Sequence, residues 1–305
     1  INRVRIHRPA QAERLRRDLE NKGYLVLYAN ALEYLSASEE VDIVTMLMSV
    51  AGAFGEQLEK VPGGKILAES FWQRIGNYLK NTSIEVSEVS AKVEAGTPAK
   101  AILGDLKAGL DLKVALKTAP TFRQKLQDFL SNRLGELKAQ VNAFVEEGVK
   151  RIREEKKEMP VVFLFDQFEQ LRGSRSNEQA VIQSVERLFA NHLDMLRLPL
   201  VHVIYTVPPW LQFALPGAFS IETLPCVRLW NNDAERTPYA KGRTLLLDAI
   251  AKRFGKESFD RVFGQGPKGG QALADRLVTL SGGHFRDLLR LFRETVVLIS
   301  TWRPS

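Results

Sequence analysis

Pro160-Val161-Val162-Phe163-Leu164-Phe165-Asp166-Gln167-Phe168-Glu169-Gln170-Leu171 is the stretch on which the fold turns. Val161 to Phe165 are consecutive apolar residues, too few for an amphipathic helix, and a proline precedes them. Such a run reads as a strand buried on both faces, the kind a parallel sheet uses. Asp166 closes the strand, and open α/β sheets bind ligands at the carboxyl ends of their strands. The acid therefore either serves a ligand there or caps the next turn.

Working outward, the neighbours repeat the α/β alternation. A charged helix over Gln11 to Asn21 ends at Gly23, and Tyr24-Leu-Val-Leu-Tyr28 reads as a second buried strand. Ile43, Leu47, Val50 and Phe54 recur at helical spacing within Val41 to Leu58. A long helix is expected from Thr121, with apolar residues from Phe122 to Ile152 in steps of three and four. Gly173 to Asn177 is a turn, and Ser176 is the expected cap of a helix reaching Leu196. Pro199 to Thr206 forms another buried strand, stopped by Pro208-Pro209.

Two regions depart from this rhythm. Between Thr82 and Thr118, Leu110, Leu112, Val114 and Leu116 alternate with Asp111, Lys113, Ala115 and Lys117. That period predicts half-exposed antiparallel strands, a β-hairpin-like insert serving as a flap or a partner-binding arm. After Pro225 the pattern is helical, over Lys241 to Phe254, Gln271 to Leu280 and Arg286 to Ile299. The expected organisation is an α/β core over 1–227, with the β-rich insert at 82–118, and a helical lid over 228–305.

Composition narrows the class. Of 305 residues, 45% are hydrophobic and 26% charged, which suits a globular protein. No apolar stretch approaches the ~20 residues a membrane helix needs, and no secretory leader is visible, so no membrane partner and a cytoplasmic location are expected. The single Cys226 fits a reducing compartment, and His7, His192, His202 and His284 show no metal-ligand spacing. A net charge of +7 permits a nucleic-acid partner. Acids interleave with the bases in Glu13 to Arg17 and Lys150 to Lys157, however, as on solvated helix faces.

A hydrophobic strand ending in Asp-Gln-Phe-Glu resembles the AAA+ and STAND branch of the P-loop ATPases. The resemblance implies a P-loop NTPase-like parallel sheet with a C-terminal helical lid, binding ATP and Mg²⁺ between them. Asp166 would be the metal-holding acid, and Glu169 would orient or deprotonate the attacking water. Gln167 stands where many relatives carry that glutamate. Thr206, ending the next strand, takes the position of the residue that senses the γ-phosphate. Leu280-Ser-Gly-Gly-His-Phe-Arg286-Asp-Leu-Leu-Arg290 is similar to the second sensor of replication-initiator ATPases, whose arginine reaches the phosphates. A cation in a first helical turn opposes the helix dipole and favours an anionic partner; the alternative reading of Arg286 is a surface residue beside Asp287. Arg197 is the candidate arginine offered to a neighbouring subunit.

One family element is missing. No Gly-x-x-x-x-Gly-Lys-Ser/Thr run is present, although phosphate cradling relies on its backbone N–H groups and lysine. Gly63-Gly64-Lys65-Ile66 and Gly264-Gln-Gly266-Pro-Lys-Gly269 imitate such loops without their flanking signals. The expectation is a segment absent between Pro9 and about Gln11; the alternative is a degenerate ATPase fold. The implied function is a Mg²⁺-dependent ATP-binding and ATP-hydrolysing switch. It would act as a homo-oligomer or with an effector protein, in bacterial signalling or anti-phage defence. The alternatives are a non-catalytic scaffold of the same fold and an initiator-like DNA-binding ATPase.

Overall fold

The computed structural model describes residues 3–6, 9–61, 67–82, 109–156, 159–215, 221–223, 226–255, 257 and 270–301. The chain forms two compact units, Ile1–Thr223 and Leu224–Ser305.

In the first unit β1 (Arg3–Ile6), α1 (Pro9–Glu20), β2 (Leu25–Asn30) and α2 (Ile43–Leu58) are followed by α3 (Phe71–Thr82), α4 (Gly109–Thr118), α5 (Pro120–Leu130) and α6 (Leu134–Lys156). Then come β3 (Val161–Asp166), α7 (Glu178–Asn191), β4 (Val201–Thr206), α8 (Leu211–Ala214) and β5 (Ile221–Thr223). The strands form a parallel sheet in the order β2-β3-β4-β1-β5. The opening residues thus form a strand of the sheet, with Arg3 opposite Ile204 and Val4 opposite Ile221. Pro9 and Ala10 are consecutive residues of α1, so the point expected to lack a segment lies inside a helix.

All six positions of β3 are buried, as the apolar run predicts. Val26, Val162, Leu164 and Ile204 cover one face of the sheet and meet Leu15 and Leu19 of α1. Leu27, Phe163, Phe165, Val203 and Tyr205 cover the other, with Phe54 of α2, Phe144 of α6 and Val185 of α7 in the same cluster. Phe163 and Phe165 are wholly removed from water, and each such burial stabilises the fold by about 2–3 kcal/mol.

α2 is sunk into this second layer, capped by Asp42, whose Oδ1 accepts from the Thr45 N–H at 2.9 Å. Trp72 of α3 lies across Gly52, where a Cβ would stand 2.1 Å from the indole Cζ2. Three donors converge on Glu56 of α2: Tyr34 Oη at 2.7 Å, Trp72 Nε1 at 3.0 Å and Lys113 Nζ at 2.8 Å. Burial pushes the Glu56 carboxyl up, but these bonds outweigh it and hold the group below the usual carboxylate range.

Lys113 belongs to α4, and here the expected β-hairpin is corrected. Residues 109–118 are helical; the rest of the insert, 83–108, lies outside the described residues. Leu112, Ala115 and Leu116 are buried at helical spacing, whereas Val114 is 54% exposed. The alternation misleads because Ala115, small and strongly helix-forming, occupies a position counted as polar. Helix boundaries also shift. A 3₁₀ turn at Ser131–Arg133 divides the long helix into α5 and α6. Asn177, not Ser176, precedes α7, which stops at Asn191 before a separate 3₁₀ turn, Leu193–Leu196.

The second unit contains α9 (Ala240–Phe254), α10 (Gly270–Leu280) and α11 (Phe285–Thr301). Leu246, Ile250, Leu277, Val278, Leu288 and Phe292 form its core with Leu229. Val227 N–H donates to the Gly283 carbonyl at 3.1 Å, tying the entering strand of chain to the α10–α11 turn.

Candidate functional site

Among the described strands the sheet has one topological switch. From β1 the chain passes to α1, on one face of the sheet, while from the adjacent β4 it passes to Leu211 of α8, in the cluster on the other face. Connections that part in this way open a crevice at the carboxyl ends of the strands. Asp166 ends β3 and Thr206 ends β4, so both lie at that edge.

A reversed residue then brings Glu169 to them. Gln167 has φ 67° and ψ 15°, in the left-handed region, a conformation that costs a residue with a side chain about 1 kcal/mol. It starts the 3₁₀ turn Phe168–Gln170, anchored by the buried Phe168 ring packed edge-on against Phe189 at 5.6 Å. Glu169, half-buried, is thereby folded back over β4, and its Oε2 accepts from Thr206 Oγ1 at 2.7 Å.

Asp166 lies deeper, with 0% exposure. Its Oδ2 accepts from Tyr28 Oη at 2.8 Å. Burial first, then the bond to Asp166 and its charge, push the Tyr28 phenol far above its ordinary value, so it stays a donor. On β2, Asn30 sits in register with Asp166, and its Oδ1 accepts from the Leu32 N–H at 2.9 Å, closing the turn after that strand.

Asp166, Glu169 and Thr206 are thus brought to one edge by two neighbouring strands and one turn. Among the described residues no group of three or more His, Cys, Asp or Glu is placed to hold a metal ion. Two carboxylates fit Mg²⁺ only as that ion is usually held, with water and phosphate completing its shell. The phosphate cradle fits less well. Only His7 and Arg8 separate β1 from α1, against the roughly eight residues of a phosphate-binding loop.

No family model, curated protein or solved structure matches the chain.

The remaining expected residues lie apart from this edge or in the other unit. Arg197 lies before the start of β4, whereas Thr206 ends it, and the strand between spans about 17 Å. Its guanidinium is exposed and pairs with Asp194 at 3.3 Å, and its carbonyl accepts from Lys138 Nζ. Arg286 belongs to the second unit, exposed in the first turn of α11, and His284 Nδ1 accepts from the Asp287 N–H at 3.2 Å. Both glycine-rich imitations, 63–66 and 264–269, fall outside the described residues. A polar cleft of about 470 Å³ lies elsewhere in the first unit, lined by Glu39, Arg123, Ser184 and Arg187 among others, and includes none of the three edge residues.

Sequence reading missed Tyr28 and Gln167. For Tyr28 a signal existed, since a polar-tipped aromatic near the end of a buried strand needs a partner for its hydroxyl. For Gln167 there was none, because glutamine carries no preference for the left-handed region.

Proposed function

We propose that the chain is a nucleotide-binding module of the AAA+/STAND type, taking a Mg²⁺–nucleotide at the carboxyl ends of β3 and β4. The observation that carries this reading is the convergence of Asp166, Glu169 and Thr206 beside the switch point, with Glu169 held by Thr206. Asp166 would face the cation. Glu169, the more accessible acid, would orient water, and Thr206 would report the terminal phosphate by exchanging its bond to Glu169. When bound, the cation supplies charge neutralisation on the phosphates. Arg286 as a phosphate-sensing cation, and Arg197 as the arginine given to a neighbouring copy, rest on the sequence pattern. The same holds for ATP as the nucleotide and for an oligomerising switch in signalling or defence.

A second reading, a non-catalytic scaffold of the same fold, is favoured by the short β1–α1 connection and by the complete burial of Asp166. Titration with a fluorescent ATP analogue, with and without Mg²⁺, separates the two. Mg²⁺-dependent binding supports the first, and absence of binding supports the scaffold. Phosphate release then tests the site: Asp166→Ala is expected to abolish Mg²⁺-dependent turnover, and unchanged turnover refutes the assignment.

A further inference from the structure

We infer that the hairpin over 229–239 in the second unit docks single-stranded nucleic acid. The open face of Trp230 stacks an unpaired base, and Arg228, Arg236 and Lys241 meet the phosphates. This surface belongs to the other unit from the Asp166 edge, and neither reading depends on the other. Residues 224–305 carry fourteen lysines and arginines against eight acids, so six of the chain's seven excess positive charges lie in this unit. Such an excess favours a polyanionic partner. Arg228, Arg236 and Lys241 are exposed, and no carboxylate among the described residues pairs with any of them.

The hairpin is tied together by its own bonds. Trp230 bridges Pro238 in antiparallel fashion, Asn231 N–H donates to the Thr237 carbonyl at 2.7 Å, and Tyr239 N–H donates to the Leu229 carbonyl at 2.8 Å. At the tip Asp233 accepts from the Thr237 N–H at 2.8 Å and is engaged in the turn, whereas Glu235 stays exposed and opposes an anion. Trp230 is 40% exposed. The Arg243 guanidinium, held by Asp275 at 2.7 Å, covers one face of its indole, 4.7 Å from the ring centroid. A ring laid flat in this way offers its other face, which suits a planar partner better than a bilayer or an apolar groove. Bases of a single strand stack on such faces, while those of a duplex are already covered on both sides. Arg228 stands beside the ring: its Nε donates to the Trp230 carbonyl at 2.8 Å, and its guanidinium lies over Tyr239 at 5.0 Å. Its terminal amino groups are left for a phosphate.

The probe is a fluorescein-labelled single-stranded oligonucleotide, titrated with the full chain and followed by anisotropy at several salt concentrations. Wild type is expected to bind at low salt and to weaken steeply as salt rises. A strand of the same length with abasic sites should bind about tenfold more weakly, because stacking is lost while the phosphates remain. Trp230→Ala should weaken the intact strand about tenfold and bind the intact and abasic strands alike. Arg236→Ala should flatten the logarithmic salt dependence by about one, and Glu235→Gln should tighten binding. Phe213→Ala, which removes a ring 80% exposed in the first unit, should change nothing. Trp230→Leu replaces Trp230→Ala should circular dichroism show that variant unfolded. Absence of binding by wild type, equal binding of intact and abasic strands, or undiminished binding by the folded Trp230 variant overturns the inference. So does tighter binding of the corresponding duplex, or binding of phosphatidylserine vesicles in place of the strand.

Discussion

Gly52→Ala sets two effects of opposite sign against each other on one helix. Alanine in a helix interior is favoured over glycine by roughly 0.5–1 kcal/mol. The added Cβ, however, would stand 2.1 Å from Cζ2, 2.5 Å from Cε2 and 2.7 Å from Cη2 of Trp72. Those atoms belong to a rigid ring only 4% exposed, with Phe71 packed against it at 5.5 Å. The ring cannot yield without moving Nε1 away from Glu56, 3.0 Å distant. Overpacking costs about 1–3 kcal/mol, and a lost bond to a charged acceptor about 1.5–3 kcal/mol. Steric cost therefore wins, and a net destabilisation of about 2–4 kcal/mol is expected. Urea denaturation followed by circular dichroism measures it, with the first unit's transition read separately from the second's. Gly135→Ala is the control, because nothing lies within 4 Å of that position in α6; it should be neutral or stabilising by up to about 0.5 kcal/mol. A Gly52→Ala protein as stable as wild type would refute the packing described for α2 and α3.

Gln167→Gly should change stability by no more than about 0.5 kcal/mol, because the roughly 1 kcal/mol of strain released at φ 67° is offset by the greater unfolded-state entropy of glycine, about 0.4–1 kcal/mol; a loss well beyond about 1 kcal/mol contradicts a strained turn. Lys138 offers a pH test. Burial pushes its ammonium down to about 8 from an ordinary 10.5, so the folded state resists its charge. That penalty is full below pH 8 and disappears above 10.5, and stability should climb between them by about 1–2 kcal/mol, discounted for partial exposure. The difference between wild type and Lys138→Met, measured across that window, isolates this group from the tyrosines. A flat difference shows that Lys138 is not desolvated.

Much of the α/β core was legible because burial on both faces leaves an unbroken apolar signature. Val161 to Phe165 could hardly be anything but an interior strand, and the acid at its end was visible with it. Thr206 could be read in the same way, from the strand Val201 to Tyr205. The segment around Leu112 could not, since leucine, lysine and alanine in alternation suit a helix once Ala115 faces the interior. Partnerships across the sheet were also beyond reach. Tyr28 finds Asp166 only through the register of β2 on β3, which involves residues far apart in the chain. The place of β1 was hidden for a similar reason: Arg3-Val-Arg-Ile6 has too few apolar residues to announce a central strand.

That central place has a consequence for how the chain acquires its structure. Strand β1 finds its neighbours at Ile204 and Ile221, so during synthesis it waits unpaired until the residues of β4 and β5 have followed it. Closure of so distant a pairing carries a heavy loop entropy and is slow. During that interval the exposed edge of β4 invites association with other nascent copies, and docking of β1 becomes the late step that ends the risk.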